Sequence, residues 1–260
     1  MMTDTTVAAP PLDDIWATKR PELLIGGGSK FAWSPQAKPL SGPHGRLRAA
    51  VFLYMAMQLF LMLVISGSLY LFWMIQIGGD FETPMVGMLV TFVGLAGDYA
   101  QPVAIVVTLI SLVTYLMFVY RAMSNLHLSN ARNLTITPGW SVGWSFIPFA
   151  NLGMVFNVMR QIWIVSHDPE TGRHSPPFTI VLWWGCWIAG SIVGRISDAG
   201  LSAGLESAAP TEYLNLYSLP ASLGILSGAL GLTSCICLLV IIKQITSAQE
   251  LLRSTAAFDE

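Results

Sequence analysis

The sequence predicts an all-α integral membrane protein: four transmembrane helices plus a re-entrant or interfacial helical hairpin on the cytoplasmic side. Three observations carry that expectation. The 260-residue chain is 53% hydrophobic and only 11% charged, against about 25% charged in an average soluble domain. Its apolar residues fall in long runs almost free of charge, near the ~20 residues that a helical span requires. The basic residues cluster on one side of those runs, the bias that sets orientation in a membrane. A net charge of −2 argues against a strongly basic nucleic-acid binder.

Taken in order, residues 1–45 are rich in Pro, Gly, Ala and charge, with Gly26-Gly27-Gly28 in the middle. They read as a disordered cytoplasmic tail without the apolar core of a signal peptide. A membrane domain over 46–247 follows, and 248–260 reads as a second cytoplasmic tail. The first span covers about 49–76, longer at ~1.5 Å per residue than a ~30 Å hydrocarbon core, so its ends project or tilt. Tyr70 and Trp73 sit near one end, where amphipathic rings favour the interface.

The run from Met85 to Tyr120 is too long for one span and too short for two with a turn. Asp98 and Pro102 divide it. The expected second span is therefore about 99–120, continuing as helix to Asn125, with 85–96 a short outer segment. The third span, about 178–197, starts after Pro176-Pro177, where proline is tolerated. The fourth is about 219–243.

Trp140–Val165 is apolar enough to suggest a fifth span, but Pro148 splits it into pieces of about 8 and 15 residues, each short of the ~20 needed. Charge supports the same choice. Lys19, Arg20, Lys30, Lys38, Arg46 and Arg48 precede span one; Arg121, Arg132, Arg160 and Arg173 lie between spans two and three; Lys243 and Arg253 follow span four. With four spans, 12 of the 13 basic residues face the cytoplasm, as do both termini. The exception, Arg195, is expected to snorkel outward or to pair with Asp198 on the same helix face. Localisation in the bacterial inner membrane, multi-pass, follows as the expectation.

The hairpin at 139–166 holds most of the distinctive polar residues. Arg121, Asn125, Trp140, Trp144, Asn151, Asn157, Arg160, Gln161 and Trp163 form a candidate structural or ligand network. Asn157, Arg160 and Gln161 share one helical face, and Leu152, Phe156, Met159 and Trp163 form an apolar stripe on another. That pattern suits a helix at the membrane boundary with its apolar side inward. Buried amides are costly unless paired, so Asn125, Asn151, Asn157 and Gln161 are expected to satisfy the hairpin's freed backbone groups, with Arg121 near its carbonyls. Gly190, Gly194, Gly224 and Gly228, spaced as small-xxx-small pairs, are expected to line one helix–helix contact. Trp183, Trp184 and Trp187 are expected to face lipid opposite those glycines.

Reactive chemistry is thinly supported. Gly139-Trp140-Ser141-Val142-Gly143 matches the G-x-S-x-G elbow, but that elbow needs a strand-to-helix turn at a sheet and no strand pattern exists here. It is read as a chance match, and the chain as no enzyme. His127, His167, Asp168, Glu170 and His174 lack a fixed metal-ligand spacing. Cys186, Cys235 and Cys237 lie in apolar runs and read as small hydrophobes. No histidine lies in a span to hold haem, and no Asp or Glu lies mid-membrane for proton coupling. The expectation is no cofactor and no metal.

Arg121-Ala122 with Asn125-Leu126, Pro138-Gly139-Trp140, Val142-Gly143-Trp144, Ile147-Pro148, Ala150-Asn151-Leu152, and Met159 with Trp163, Ser166, Asp168 and Pro169 form a set of motifs. This set resembles the bacterial multi-span membrane family catalogued as domain of unknown function 4328. The resemblance covers roughly Arg46 to Lys243, with its specific motifs in 120–169. Ser141 stands where the pattern has Ala, Gln161 where an acidic residue is common, no proline follows Leu152, and His167 is an insertion. The resemblance implies the shared fold and brings no activity with it.

Two functional classes follow. One is a non-enzymatic structural or regulatory protein that organises a partner, with the hairpin as docking surface. The other is a small-molecule or lipid binding or transport module in which the hairpin enters the bundle. The lipid bilayer is the expected partner of both, another membrane protein that of the first, and nucleic acid of neither. A deeply inserted hairpin favours the second class, because non-helical backbone at membrane depth must line a cavity or be buried in protein.

Overall fold

The computed structural model describes residues 31–79, 82–207 and 210–256, with side chains described outside 203–216. Every element among them is helical: α1 (Ser41–Gln76), α2 (Pro84–Leu128), α3 (Pro138–Gly143), a 3-10 turn (Trp144–Phe146), α4 (Ala150–His167), α5 (Phe178–Ser207) and α6 (Pro210–Ala256). Four helical stretches, Ser41–Gln76, Pro84–Leu128, Phe178–Ser202 and Tyr217–Ala256, are long and apolar enough to cross a membrane. The fold is thus a four-helix membrane-type bundle, with α3 and α4 forming the hairpin.

α1 and α2 run antiparallel from a turn in which Gly78 takes φ +65°, a conformation that favours glycine. α2 is one helix of 45 residues. The expected division into an outer segment 85–96 and a span 99–120 is absent. Pro102 does remove one N–H, but membrane helices tolerate proline where neighbouring groups compensate. The segment before it is held on α1: Phe92 meets Phe60 edge-on, with ring centroids 5.9 Å apart. Gly67 also brings α1 so close that a Cβ there would lie 3.2 Å from Leu89 and 3.3 Å from Val93. Packing on α1 outweighs the local break.

α1 lies against α2 and α6, and α5 against α6. Three hydroxyls join α5 to α6: Ser227 donates to the Gly190 carbonyl (2.9 Å), Ser234 to that of Trp183 (2.9 Å), and Ser197 to that of Pro220 (2.8 Å). The four glycines do not share one contact. A Cβ on Gly190 would sit 3.3 Å from the Ser227 carbonyl and 3.6 Å from the Gly231 nitrogen, and one on Gly194 2.9 Å from the Ser227 hydroxyl, both on α6. Gly228 instead faces Met62 of α1 at 2.7 Å, and Gly224 meets both Ile65 of α1 and Ser197 of α5 at 3.1 Å. The physical reason is that α6 is sandwiched, so its small residues serve two neighbours.

Both expected tails are shorter than the composition suggests. Trp33, Ala37 and Leu40 are buried, packing with Leu126, Val165 and the α2–α4–α6 core. α6 continues to Ala256 with Thr246 and Gln249 buried. Averaging polar composition over 1–45 conceals three well-placed apolar residues near its end. Residues 1–30 and 257–260 lie outside the described residues.

Candidate functional site

The hairpin begins with helix-start chemistry. The Thr137 hydroxyl accepts from the Trp140 N–H (3.4 Å), and Pro138 occupies the first turn of α3. Ser141, the central residue of the G-x-S-x-G match, is buried and donates its hydroxyl to the Pro138 carbonyl at 2.7 Å. It closes a helical turn rather than standing on a strand-to-helix elbow. Trp140 and Trp144, one turn apart, bring their ring centroids to 4.8 Å.

At the tip, Phe149 takes φ +63°, a costly conformation for a bulky side chain, and it is 87% exposed beside exposed Phe146 and Ile147. The orphan N–H groups that open α4 are closed by the tip itself: Ala150 donates to Pro148 (2.7 Å), Asn151 to Ile147 (3.0 Å) and Leu152 to Phe149 (3.2 Å). Such a tip presents apolar side chains while satisfying backbone polarity locally.

α4 stands along the bundle rather than across its end. Near its start, the Leu152 carbonyl accepts from the Trp184 indole at 2.7 Å, within the apolar length of α5. Near its end, Ser166 accepts from Gln249, far along α6. Of the expected stripe, Met159 and Trp163 are buried in the protein core beside Val155 and Ile162, Phe156 is partly buried against it, and Leu152 remains exposed.

The candidate residues separate into three places. The first is a closed amide network at the end of the bundle that carries Arg121. Asn125 accepts from the Lys38 N–H (3.1 Å) and donates to the Lys38 carbonyl (2.9 Å) and to Gln249 Oε1 (3.2 Å). Gln249 then donates to the Ala122 carbonyl (3.2 Å) and Ser166 Oγ (3.0 Å). Asn125 therefore secures the 31–40 segment, not the hairpin. Trp163 joins α4 to α6 by donating to Gln244 Oε1 at 2.9 Å. Arg121 is half-buried beside this core. Sequence reasoning missed Lys38, Gln244, Gln249 and Ser166. The signal for the glutamines was their presence past an apolar run on a helix that had no reason to stop.

The second place is a groove of about 510 Å³ on the outer side of α4, where Trp140, Trp144, Asn157, Arg160 and Gln161 meet. Gln161 is locked: its Oε1 accepts from the Ile136 N–H (3.2 Å), and its Nε2 donates to the Asn133 carbonyl (3.1 Å) and Thr135 hydroxyl (2.9 Å). It satisfies the chain leading into the hairpin, as expected of an amide there. Below it, Asp168 gathers the Thr171 hydroxyl and the N–H groups of Thr171 and Arg173. Those hydrogen bonds, led by the Thr171 hydroxyl, draw its carboxyl down to about 2. His167 stacks on Trp163 at 3.9 Å and bonds its carbonyl, and burial lowers its pKa.

The third place is a cleft of about 870 Å³ between α2 and α5, which do not pack against each other as the other neighbours do. Trp183, Trp184 and Trp187 form one wall and continue into Gly190, Gly194, Arg195 and Asp198. The tryptophans thus share the cleft wall with Gly190 and Gly194 rather than standing opposite them, Trp183 buried and Trp187 41% exposed. Ser111 of α2 stands across the cleft, Tyr115 of α2 reaches over to Trp183 with ring centroids 6.2 Å apart, and Asn151 and Val155 of the hairpin close one end. The Tyr115 hydroxyl is buried and has no hydrogen-bond partner. Arg195 and Asp198 both line the cleft, and no ion pair of theirs occurs among the described residues. From Trp183 to Asp198 the lining extends about 22 Å along α5.

Compared with curated proteins and with solved structures, the chain finds no match. A family model does match, over residues 91–247, which takes in α2 from Thr91 onward, the hairpin, α5 and most of α6. With all the walls of the cleft except α1 inside that match, the chain belongs to the family described as Domain of unknown function (DUF4328).

Proposed function

We propose that this protein is a non-enzymatic binding or transport module for an amphiphile, held in the cleft between α2 and α5 with the 139–166 hairpin as its floor. The carrying observation is the cleft itself: about 870 Å³, walled by three indoles, with the buried, unpaired Tyr115 hydroxyl beside it. Ligand sites are concave and mostly apolar with a few polar groups that fix orientation. Here the apolar body of a lipid-like molecule lies along Trp183, Trp184 and Trp187, its polar end reaches Arg195 and Asp198, and a carbonyl or ester oxygen accepts from Tyr115. A lateral opening between two spans gives a ligand dissolved in the bilayer a direct way in.

This reading takes the inner membrane as the location, with both termini and the hairpin cytoplasmic, on the strength of the basic-residue bias. It involves no catalytic serine, since the Ser141 hydroxyl is buried and committed to the Pro138 carbonyl.

Tyr115→Phe tests the proposal with little structural ambiguity. Removing a hydroxyl that makes no hydrogen bond should leave thermal stability equal to or slightly above the starting protein. Native mass spectrometry of the gently extracted protein should show a retained amphiphile in the original chain. Its retention should fall by about fivefold to tenfold in Tyr115→Phe, the loss of one hydrogen bond. Equal retention in Tyr115→Phe and in Trp184→Leu would remove the cleft as the site.

A further inference from the structure

We infer that the groove on the outer side of α4 is a second, separate binding site, for the phosphate group of a phosphate ester, with Arg160 as the anion-binding residue. It does not depend on the cleft. The groove, about 510 Å³, has one charged residue in its lining, and that residue is Arg160. Its guanidinium is exposed and has neither ion pair nor hydrogen bond among the described residues. Asn157 lies one helical turn earlier on the same face, also exposed, its amide uncommitted.

The remaining walls are built in advance. Gln161 spends its whole amide on the chain from Asn133 to Ile136, so that wall is fixed without a ligand. Gly172 holds φ +61° with room for no Cβ, since one would lie 2.8 Å from the Asn133 side chain; the two loops are thereby clamped together. In the same lining, the Trp140–Trp144 pair supplies a ring surface, and Trp140 is half exposed.

A planar guanidinium presents paired N–H donors that match two phosphate oxygens, and a neighbouring amide adds a third donor. The indole pair then accepts the carbon body of the ester. No lining carboxylate opposes an anion. Because the groove's lining reaches Trp144, two residues before the exposed apolar Phe146, a membrane phospholipid headgroup and a soluble phosphate ester are both able to supply this chemistry.

The test uses the full chain purified in detergent. Short-chain phosphatidylglycerol, diacylglycerol with the same chains, and inorganic phosphate are titrated separately, and binding is read by native mass spectrometry and by the shift in melting temperature. Phosphatidylglycerol should bind better than diacylglycerol, and Arg160→Gln should weaken it about tenfold, the usual scale for a charge-assisted hydrogen bond. Arg132→Gln, exposed and outside the groove, should leave it unchanged. Should Arg160→Gln not fold, Arg160→Lys and Asn157→Ala serve in its place, each expected to weaken binding by a smaller factor. Arg160-dependent binding of phosphatidylglycerol alone identifies a lipid headgroup, and Arg160-dependent binding of inorganic phosphate as well identifies a soluble ester. Affinities that do not respond to Arg160, or equal binding of phosphatidylglycerol and diacylglycerol, would overturn the site.

Discussion

Asn125 and Asn151 lie in similar sequence surroundings, each next to a leucine at a helix end, yet the structure treats them in opposite ways. Asn125 is buried, with its carbonyl and its amino group both bonded, across three segments of chain. Asn151 faces the cleft, and no hydrogen bond of its side chain occurs among the described residues. Around Asn125 the bundle is closed: the 31–40 segment, α2, α4 and α6 pack together and both polar atoms of its side chain are bonded, while the buried Trp33 indole N–H nearby has no acceptor among the described residues. Around Asn151 it is open, because α2 and α5 stand apart. The contrast sets a closed end of the bundle, where Asn125 of α2 ties the 31–40 segment to α6, against the open side of the hairpin at Asn151.

The largest effect should come from breaking the closed end. Asn125→Leu leaves the Lys38 N–H, the Lys38 carbonyl and Gln249 Oε1 without a partner, at a cost of about 3 kcal/mol. Asn151→Leu should change stability by no more than about 0.5 kcal/mol while altering ligand retention. Thermal and detergent-induced unfolding would measure both, and equal losses at the two positions would erase the distinction between the regions.

A smaller effect separates the two sides of α5, locked to α6 on one and bare on the other. Gly190→Ala places a Cβ against the Leu230 Cβ and the Ser227 carbonyl of α6, neither of which can swing aside without moving the backbone, so it should cost about 1–3 kcal/mol. Gly228→Ala meets the flexible Met62 side chain and should cost less. Gly185→Ala, where a Cβ meets nothing within 4 Å, should be neutral or slightly stabilising, since alanine is the better helix former. If Gly185→Ala is as damaging as Gly190→Ala, the α5–α6 contact is not the close one.

The smallest effect is a dependence on pH at the closed end. Burial lowers the pKa of His167 below its usual value of 6.5, so the folded state prefers the neutral ring. That contribution is complete above the ordinary histidine pKa and is lost as pH falls through the depressed one. Melting temperature should therefore fall modestly from pH 7.5 to 5.5, and fall less in His167→Gln. Asp168 works in the same direction much lower: its contribution is present above its unfolded pKa and is lost as pH drops towards about 2. A rise in stability on acidification across the first interval would contradict the assignment.

Much of this was legible in the chain. Length and hydropathy gave the four spans, and Pro148 divided the hairpin from a fifth, because both depend on local runs and on one residue's missing N–H. Gln161 as a backbone-satisfying amide was legible for the same reason: a polar side chain on a helix next to a turn must find a partner. Pro102 misled because its local cost was set against packing on α1 that no single window contains.

What the sequence by itself determined is the four apolar spans and the place where the hairpin turns. Each follows from periodicity along one segment. Which amide meets which backbone was decided only in three dimensions. Lys38 is 87 residues from Asn125 and Gln249 is 124 residues from it, and nothing local records such pairings. The cleft is also a tertiary fact, because it is the space left between helices that meet only through side chains such as Tyr115 and Trp183, and that distance is fixed by every other contact in the bundle.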